Sequence, residues 1–142
     1  MIPKIELKSK KEIKEFQEKK LNKLLTYLIN NSKYYRNLFK KNNIDINGIN
    51  SIEDLEKIPV TTKEQLHKYN KEFICVPEKK IIDYTTTSGT LGEPITIILT
   101  ENDLNLLEYN EAISFATAGV NNNDIIQLST TIDKQFMAGL AY

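Results

Sequence analysis

The chain has 142 residues, 40% hydrophobic and 27% charged, which suits a soluble domain with enough apolar material for a core. No apolar run approaches bilayer length, and the Lys-rich start lacks the apolar stretch and small-residue cleavage site of a secretory leader, so a cytoplasmic protein with no membrane contact is expected. Formal charge is zero but uneven: residues 1–42 hold 12 Lys/Arg against 4 Asp/Glu, and the remainder is acidic by the same margin.

Four stretches carry the capping-box pattern that starts helices: Ser9–Glu12, Ser51–Asp54, Thr61–Glu64 and Thr100–Asp103. The first opens a helix to about Asn30, with Ile13, Phe16, Leu21, Leu24, Leu25 and Leu28 on one side at helical spacing. Glu6, Glu12, Glu15 and Glu18 interrupt its basic run, and no aromatics are interleaved on the charged face. That pattern reads as a solvated face or a surface docked on the acidic remainder, not as a nucleic-acid site. A second helix over about Lys33–Lys41 is predicted to bury Tyr35, Leu38 and Phe39. Asn42-Asn43 and Asn47-Gly48 read as loop. Short helices follow at Ile52–Glu56 and Lys63–Tyr69, separated by Pro59. His67, the single histidine, falls on the second of these at a solvated position.

From Phe73 the period shortens. Strands are expected at Phe73–Val76, Ile81–Thr86, Ile95–Leu99 and Asp124–Ser129. A helix over Glu101–Ala118 places Leu104, Leu107, Ala112, Phe115 and Ala116 roughly on one face, with Gly119 as its C-terminal glycine. Cys75 is the single cysteine, which rules out an internal disulfide; it reads as a small hydrophobe in a buried strand. Asp103 reads as a cap and Asp124 as a turn, so no acid/base pair, nucleophile or metal ligand is named. The expected class is α/β: a helical segment over 1–72, then over 73–142 the first strands and helix of a larger domain that this chain leaves incomplete. Gly139-Leu140-Ala141-Tyr142 stops as an apolar run without a cap. The bias to Lys, Asn and Ile points to an AT-rich bacterial genome.

Between the strands at 81–86 and 95–99 lies Tyr84-Thr85-Thr86-Thr87-Ser88-Gly89-Thr90-Leu91-Gly92-Glu93-Pro94. Glycine lets the backbone approach a ligand closely, and successive N–H groups in such a turn make an anion-binding concavity. The spacing is not that of the Walker loop, and no helix follows directly as in the dinucleotide turn. The reading is a flexible loop that holds nucleotide phosphates, against the plainer one of a Thr/Gly hairpin.

The core Thr87-Ser88-Gly89-Thr90-Leu91-Gly92-Glu93-Pro94 resembles the phosphate-binding signature of the adenylate-forming enzymes, and most of all their phenylacetate–CoA ligase branch. The resemblance extends to Tyr34–Phe39, to Ser51–Leu66, to Ala118-Gly119-Val120 with Asp124-Ile125-Ile126, and to Phe136–Tyr142. Two positions depart from it: Glu93 stands where many members carry Lys, and Leu91 stands where a second threonine is usual. The resemblance implies a phosphate cradle of Thr86, Thr87, Ser88, Gly89, Thr90 and Gly92, with Phe136 and Gly139 near the acyl pocket. It implies ATP and a small carboxylic acid as substrates, coenzyme A as acceptor, and Mg²⁺ held by residues outside this chain. Members are longer, so the chain reads as the N-terminal portion of such a ligase, inactive alone, with the missing C-terminal part as a potential partner in trans. Two other readings stand beside it: a non-catalytic nucleotide- or partner-binding module, and a basic-arm interaction protein.

Overall fold

Helix caps organise the first part of the chain in the computed structural model, which describes residues 4–87, 94–127 and 129. The described residues fall into two units that divide between Cys75 and Val76. In the first unit, Ser9 accepts the Glu12 N–H while the Glu12 carboxylate accepts the Ser9 N–H, and this reciprocal cap starts α1, Lys10–Asn31. The helix ends at Ser32, whose N–H donates to the Leu28 carbonyl at 2.8 Å. The same residue starts α2, Lys33–Lys41, because its hydroxyl accepts the Tyr35 N–H at 3.3 Å and donates to the Glu72 carbonyl at 3.1 Å. Ser32 is fully buried, and these bonds satisfy it there.

Asn43 closes α2 in the left-handed region, at φ 52°. The Ile44 N–H reaches the Phe39 carbonyl and the Asn43 N–H the Lys40 carbonyl, which together form a Schellman ending. The chain then turns through 3₁₀ segments at Ile46–Gly48 and Glu53–Lys57 before α3, Lys63–Lys68. Asp54 ties down the second 3₁₀ turn: its carboxylate accepts the N–H groups of Asn50 and Ser51, the Ser51 hydroxyl and the Lys57 ammonium. Lys57, then those backbone donors, hold the Asp54 carboxyl well below the ordinary carboxylate range. The core forms where α1 meets this returning segment. Leu21, Leu25, Phe39 and Ile49 are buried in it, and Ile29, Tyr35, Leu38, Ile44, Ile46, Ile52 and Ile58 pack around them.

Several expectations change here. Phe16 and Leu24 share the predicted apolar side of α1 but are exposed. In α2 it is Tyr34 that is buried and Tyr35 that is half-buried, because the Tyr34 ring stacks on Phe73 at 3.9 Å while Phe73 meets Tyr35 edge-on. The cap of α3 is Thr62 with Gln65, one residue later than predicted; the Thr61 hydroxyl lies 3.3 Å from the Tyr35 hydroxyl instead. Phe73–Val76 is not a strand. A 3₁₀ turn over Asn70–Phe73 leads into it, and the Cys75 carbonyl accepts the Tyr27 hydroxyl at 2.9 Å where a ladder bond would have been. Cys75 is half-buried in this segment, and burial pushes its thiol pKa up. His67 is exposed on α3, as its spacing indicates.

In the second unit, β1 (Asp83–Thr86) pairs antiparallel with β2 (Thr96–Leu99), in a register that opposes Thr85 to Ile97 and Thr86 to Thr96. One face carries Asp83, Thr85, Ile97 and Leu99, of which Thr85 and Leu99 are buried. Thr100 and Asp103 form the capping box that starts α4, Glu101–Thr117, which packs against β2. Gly119, at φ 91°, ends α4 with the second Schellman motif: Val120 N–H to Phe115 and Gly119 N–H to Ala116. On α4 Leu104, Leu107 and Phe115 are half-buried, whereas Ala112 and Ala116 are exposed. The expected strand at Asp124–Ser129 does not form among the described residues. Asp124 accepts the N–H and side-chain amide of Asn121 in a turn, and Ile125 is 99% exposed. Apolar residues make a strand only where a neighbouring strand supplies the ladder, and neither described strand pairs with this segment.

Candidate functional site

The Thr/Ser/Gly string is carried by the β1–β2 pair, and the last backbone bond of the ladder marks its neck. Thr87 donates its N–H to the Ile95 carbonyl at 3.0 Å. The return bond differs from a regular ladder, because the Ile95 N–H donates to the Thr87 hydroxyl at 3.0 Å. A side-chain oxygen thus takes the place that a main-chain carbonyl would hold. At this point the chain leaves the sheet, and residues 88–94 connect the two stems. Ile95 is buried, so its amide is satisfied in a place that water reaches poorly. The Thr87 hydroxyl accepts in this arrangement and keeps its own proton to donate.

The predicted site residues fall on both sides of that neck. Thr86 is half-buried at the end of β1, opposite Thr96, and Thr87 is half-buried at the neck. Thr85 is fully buried, so its strand role accounts for it. Ser88, Gly89, Thr90 and Gly92 lie outside the described residues, as do Phe136 and Gly139. Sequence reasoning gave Ile95 no part beyond strand propensity; the structure makes its amide the partner that fixes Thr87. The signal was present in the string, since a hydroxyl residue at a strand end is suited to such a bond. Among the described residues no group of three or more His, Cys, Asp or Glu is placed to hold a metal ion. No described helix is long and apolar enough to cross a membrane.

Curated relatives match most of this chain in sequence. A phenylacetate–coenzyme A ligase of Thermus thermophilus is 31% identical over 118 residues, which is 82% of this chain and 26% of the relative. The protein of that name from Escherichia coli is 29% identical over 126 residues, 88% of this chain and 29% of the relative. Over this span the chain is phenylacetate–CoA ligase-like. It covers little more than a quarter of the length of the curated relatives it matches. No family model matches the chain.

The fold agrees. A 2-hydroxyisobutyryl-CoA ligase, solved in the postadenylation state with 2-HIB-AMP, superimposes with a TM-score of 0.74 over 81% of this chain and 25% of that one, at 20% identity. An open conformation of that ligase with 2-HIB-AMP and CoA gives 0.72 over 79% of this chain and 27% of that one, again at 20% identity. The mixed helix and sheet arrangement described above is therefore part of an adenylate-forming ligase fold.

Proposed function

We propose that this chain forms the phosphate-binding portion of an AMP-forming acid–thiol ligase. The observation that carries the reading is the Thr/Ser/Gly string mounted between antiparallel stems, in a chain whose sequence relatives bear the phenylacetate–CoA ligase name. In the proposed reaction a carboxylate oxygen attacks the α-phosphorus of ATP. The bond to the β-phosphate oxygen breaks and pyrophosphate leaves, giving an acyl-adenylate. A thiol, that of coenzyme A, then attacks the acyl carbon and AMP departs. The first step brings an anion to a polyanion, so donors already aimed at the phosphates lower its barrier.

The chain's own residues would supply that donation. Thr87 offers its remaining hydroxyl proton, and Ser88 and Thr90 offer theirs. Gly89 and Gly92 open the backbone N–H groups to the phosphates, and Thr86 sits at the edge of the cradle. A loop on a fixed neck can close over the β- and γ-phosphates and open to release pyrophosphate. Phe136 and Gly139 would border the acyl group. Magnesium supplies charge neutralisation when bound, through residues of the longer protein.

ATP–pyrophosphate exchange by the full-length protein tests this reading, with phenylacetate and a panel of aryl and short acyl acids. Exchange with at least one acid is expected, with about a tenfold loss in Ser88→Ala if one phosphate hydrogen bond disappears. The 142-residue chain alone should give little or none. No exchange with any acid, while the protein remains folded, overturns the assignment.

A further inference from the structure

The second unit exposes a helix that is apolar on two sides. α4 packs against β2, and Leu104, Leu107 and Phe115 are half-buried on one of its sides. On the other side Asn102, Leu106, Tyr109, Ile113 and Ala116 follow at alternating spacings of four and three residues, the repeat that lays a seam along a helix. Leu106 is 57% exposed and Tyr109 43%. Asn105, Asn110, Ala112 and Thr117 flank this seam without charge. Asp103, the one carboxylate beside it, is engaged by the Thr100 N–H and hydroxyl in the helix cap. Glu101, Glu108 and Glu111 lie off the seam, and α4 contains no Lys, Arg or His. No residue of α4 is buried, although the helix runs for 17 residues.

A helix with apolar residues on opposite sides belongs inside a domain, with a neighbour on each side. β2 supplies one neighbour, and Leu106 and Tyr109 stand open on the other side. Two observations identify what covers them. The chain spans 26% and 29% of the length of the ligase relatives it matches, so most of such a protein lies outside these residues. α4 carries Glu101, Asp103, Glu108 and Glu111 with no cation among them. A second copy laid along the seam would set like charges side by side with nothing to balance them, which opposes self-pairing.

We propose that the seam of Leu106, Tyr109, Ile113 and Ala116 is a docking face for an apolar helix contributed by later residues of the same, longer polypeptide. Only Thr100 separates α4 from β2, so the covering helix also steadies the stem that carries the Thr/Ser/Gly string. The inference rests on the chain being part of a longer protein and not on nucleotide binding, so a failure of ATP–pyrophosphate exchange leaves it standing. The test is labelling of the full-length protein with iodoacetamide after Ala116→Cys, a small change on the seam, with peptide mass spectrometry separating that thiol from Cys75. Labelling of the folded protein should be at least about tenfold slower than labelling of the same variant in urea. Lys11→Cys, on the exposed side of α1, is the reference and should label at similar rates in both. Tyr109→Lys should lose most of the soluble, folded full-length protein, whereas Glu108→Lys, off the seam, should keep it. The proposal is overturned if the Ala116→Cys thiol in folded protein labels as fast as in urea, or if Tyr109→Lys folds as the parent does. Protection that disappears on dilution, with a light-scattering mass of two chains before it, assigns the face to a second copy and overturns the proposal as well.

Discussion

Replacing Thr87 by valine keeps the β-branch and deletes the one oxygen that accepts the Ile95 N–H at 3.0 Å. Ile95 is 8% exposed, so the orphaned amide would sit largely out of water. A neutral hydrogen bond contributes about 1 kcal/mol net, and an unsatisfied buried donor costs about 1–3 kcal/mol. The reverse bond, Thr87 N–H to the Ile95 carbonyl, uses backbone only and survives the change. The neck should therefore open more easily by about 1.5 kcal/mol, which accelerates exchange of the Ile95 amide roughly tenfold. Native-state hydrogen exchange followed by NMR reads this residue by residue. The Ile82 amide, bonded to the Leu99 carbonyl at the far end of the pair, serves as the internal control. Thr87→Ser retains the oxygen and should exchange like the parent. If Ile95 exchanges at the parental rate in the valine variant, the Thr87 carbonyl carries the ladder and the reasoning fails.

Ser32→Ala removes the N-cap acceptor of α2 and the donor to the Glu72 carbonyl at a fully buried site. About 2 kcal/mol of stability should be lost, measured by urea unfolding. Gly119→Ala meets nothing within 4 Å but must adopt φ 91°, so about 1 kcal/mol of strain is expected from the backbone alone, read from the thermal midpoint. The pKa of Asp54 is depressed in the folded state. Its contribution is therefore complete above the unfolded carboxylate value of about 4 and is lost as pH falls below it toward the folded value. In paired urea titrations, the gap between the parent and Asp54→Asn should be widest at neutral pH and shrink under acid. A gap independent of pH would remove the ionised carboxylate from the explanation.

Local signals were the readable ones. Ser9 with Glu12 and Thr100 with Asp103 act within one helical turn, so spacing alone located both helix starts. Thr61 and Thr62 each have a Glu or Gln three residues later, and the pattern has no means to choose between them. The choice comes from Tyr35, distant in sequence, whose hydroxyl lies beside the Thr61 hydroxyl. The exchange of burial between Tyr34 and Tyr35 has the same origin, since Phe73 decides which ring is covered. Strand propensity at Phe73–Val76 and Asp124–Ser129 produced no ladder among the described residues, because pairing is a property of the assembled sheet. At the candidate site the stems were legible because β-branched runs flank a Gly-rich string. The side-chain substitution in the Ile95 bond was not, because it depends on how the chain departs from the sheet.

Ser32 belongs to two helices at once, as the last cap of one and the first cap of the next. Nothing therefore lies between α1 and α2 that could act as a spacer. Loop closure between them costs almost no chain entropy, and the first turn of α2 is oriented as soon as α1 is formed. This corner is a natural starting point for assembly of the first unit: a low-contact-order helical pair that can form before the Glu72 carbonyl arrives from forty residues downstream to lock it. Inserting a single residue at that corner would change little in composition, yet it would uncouple the two helices and turn one cooperative event into two.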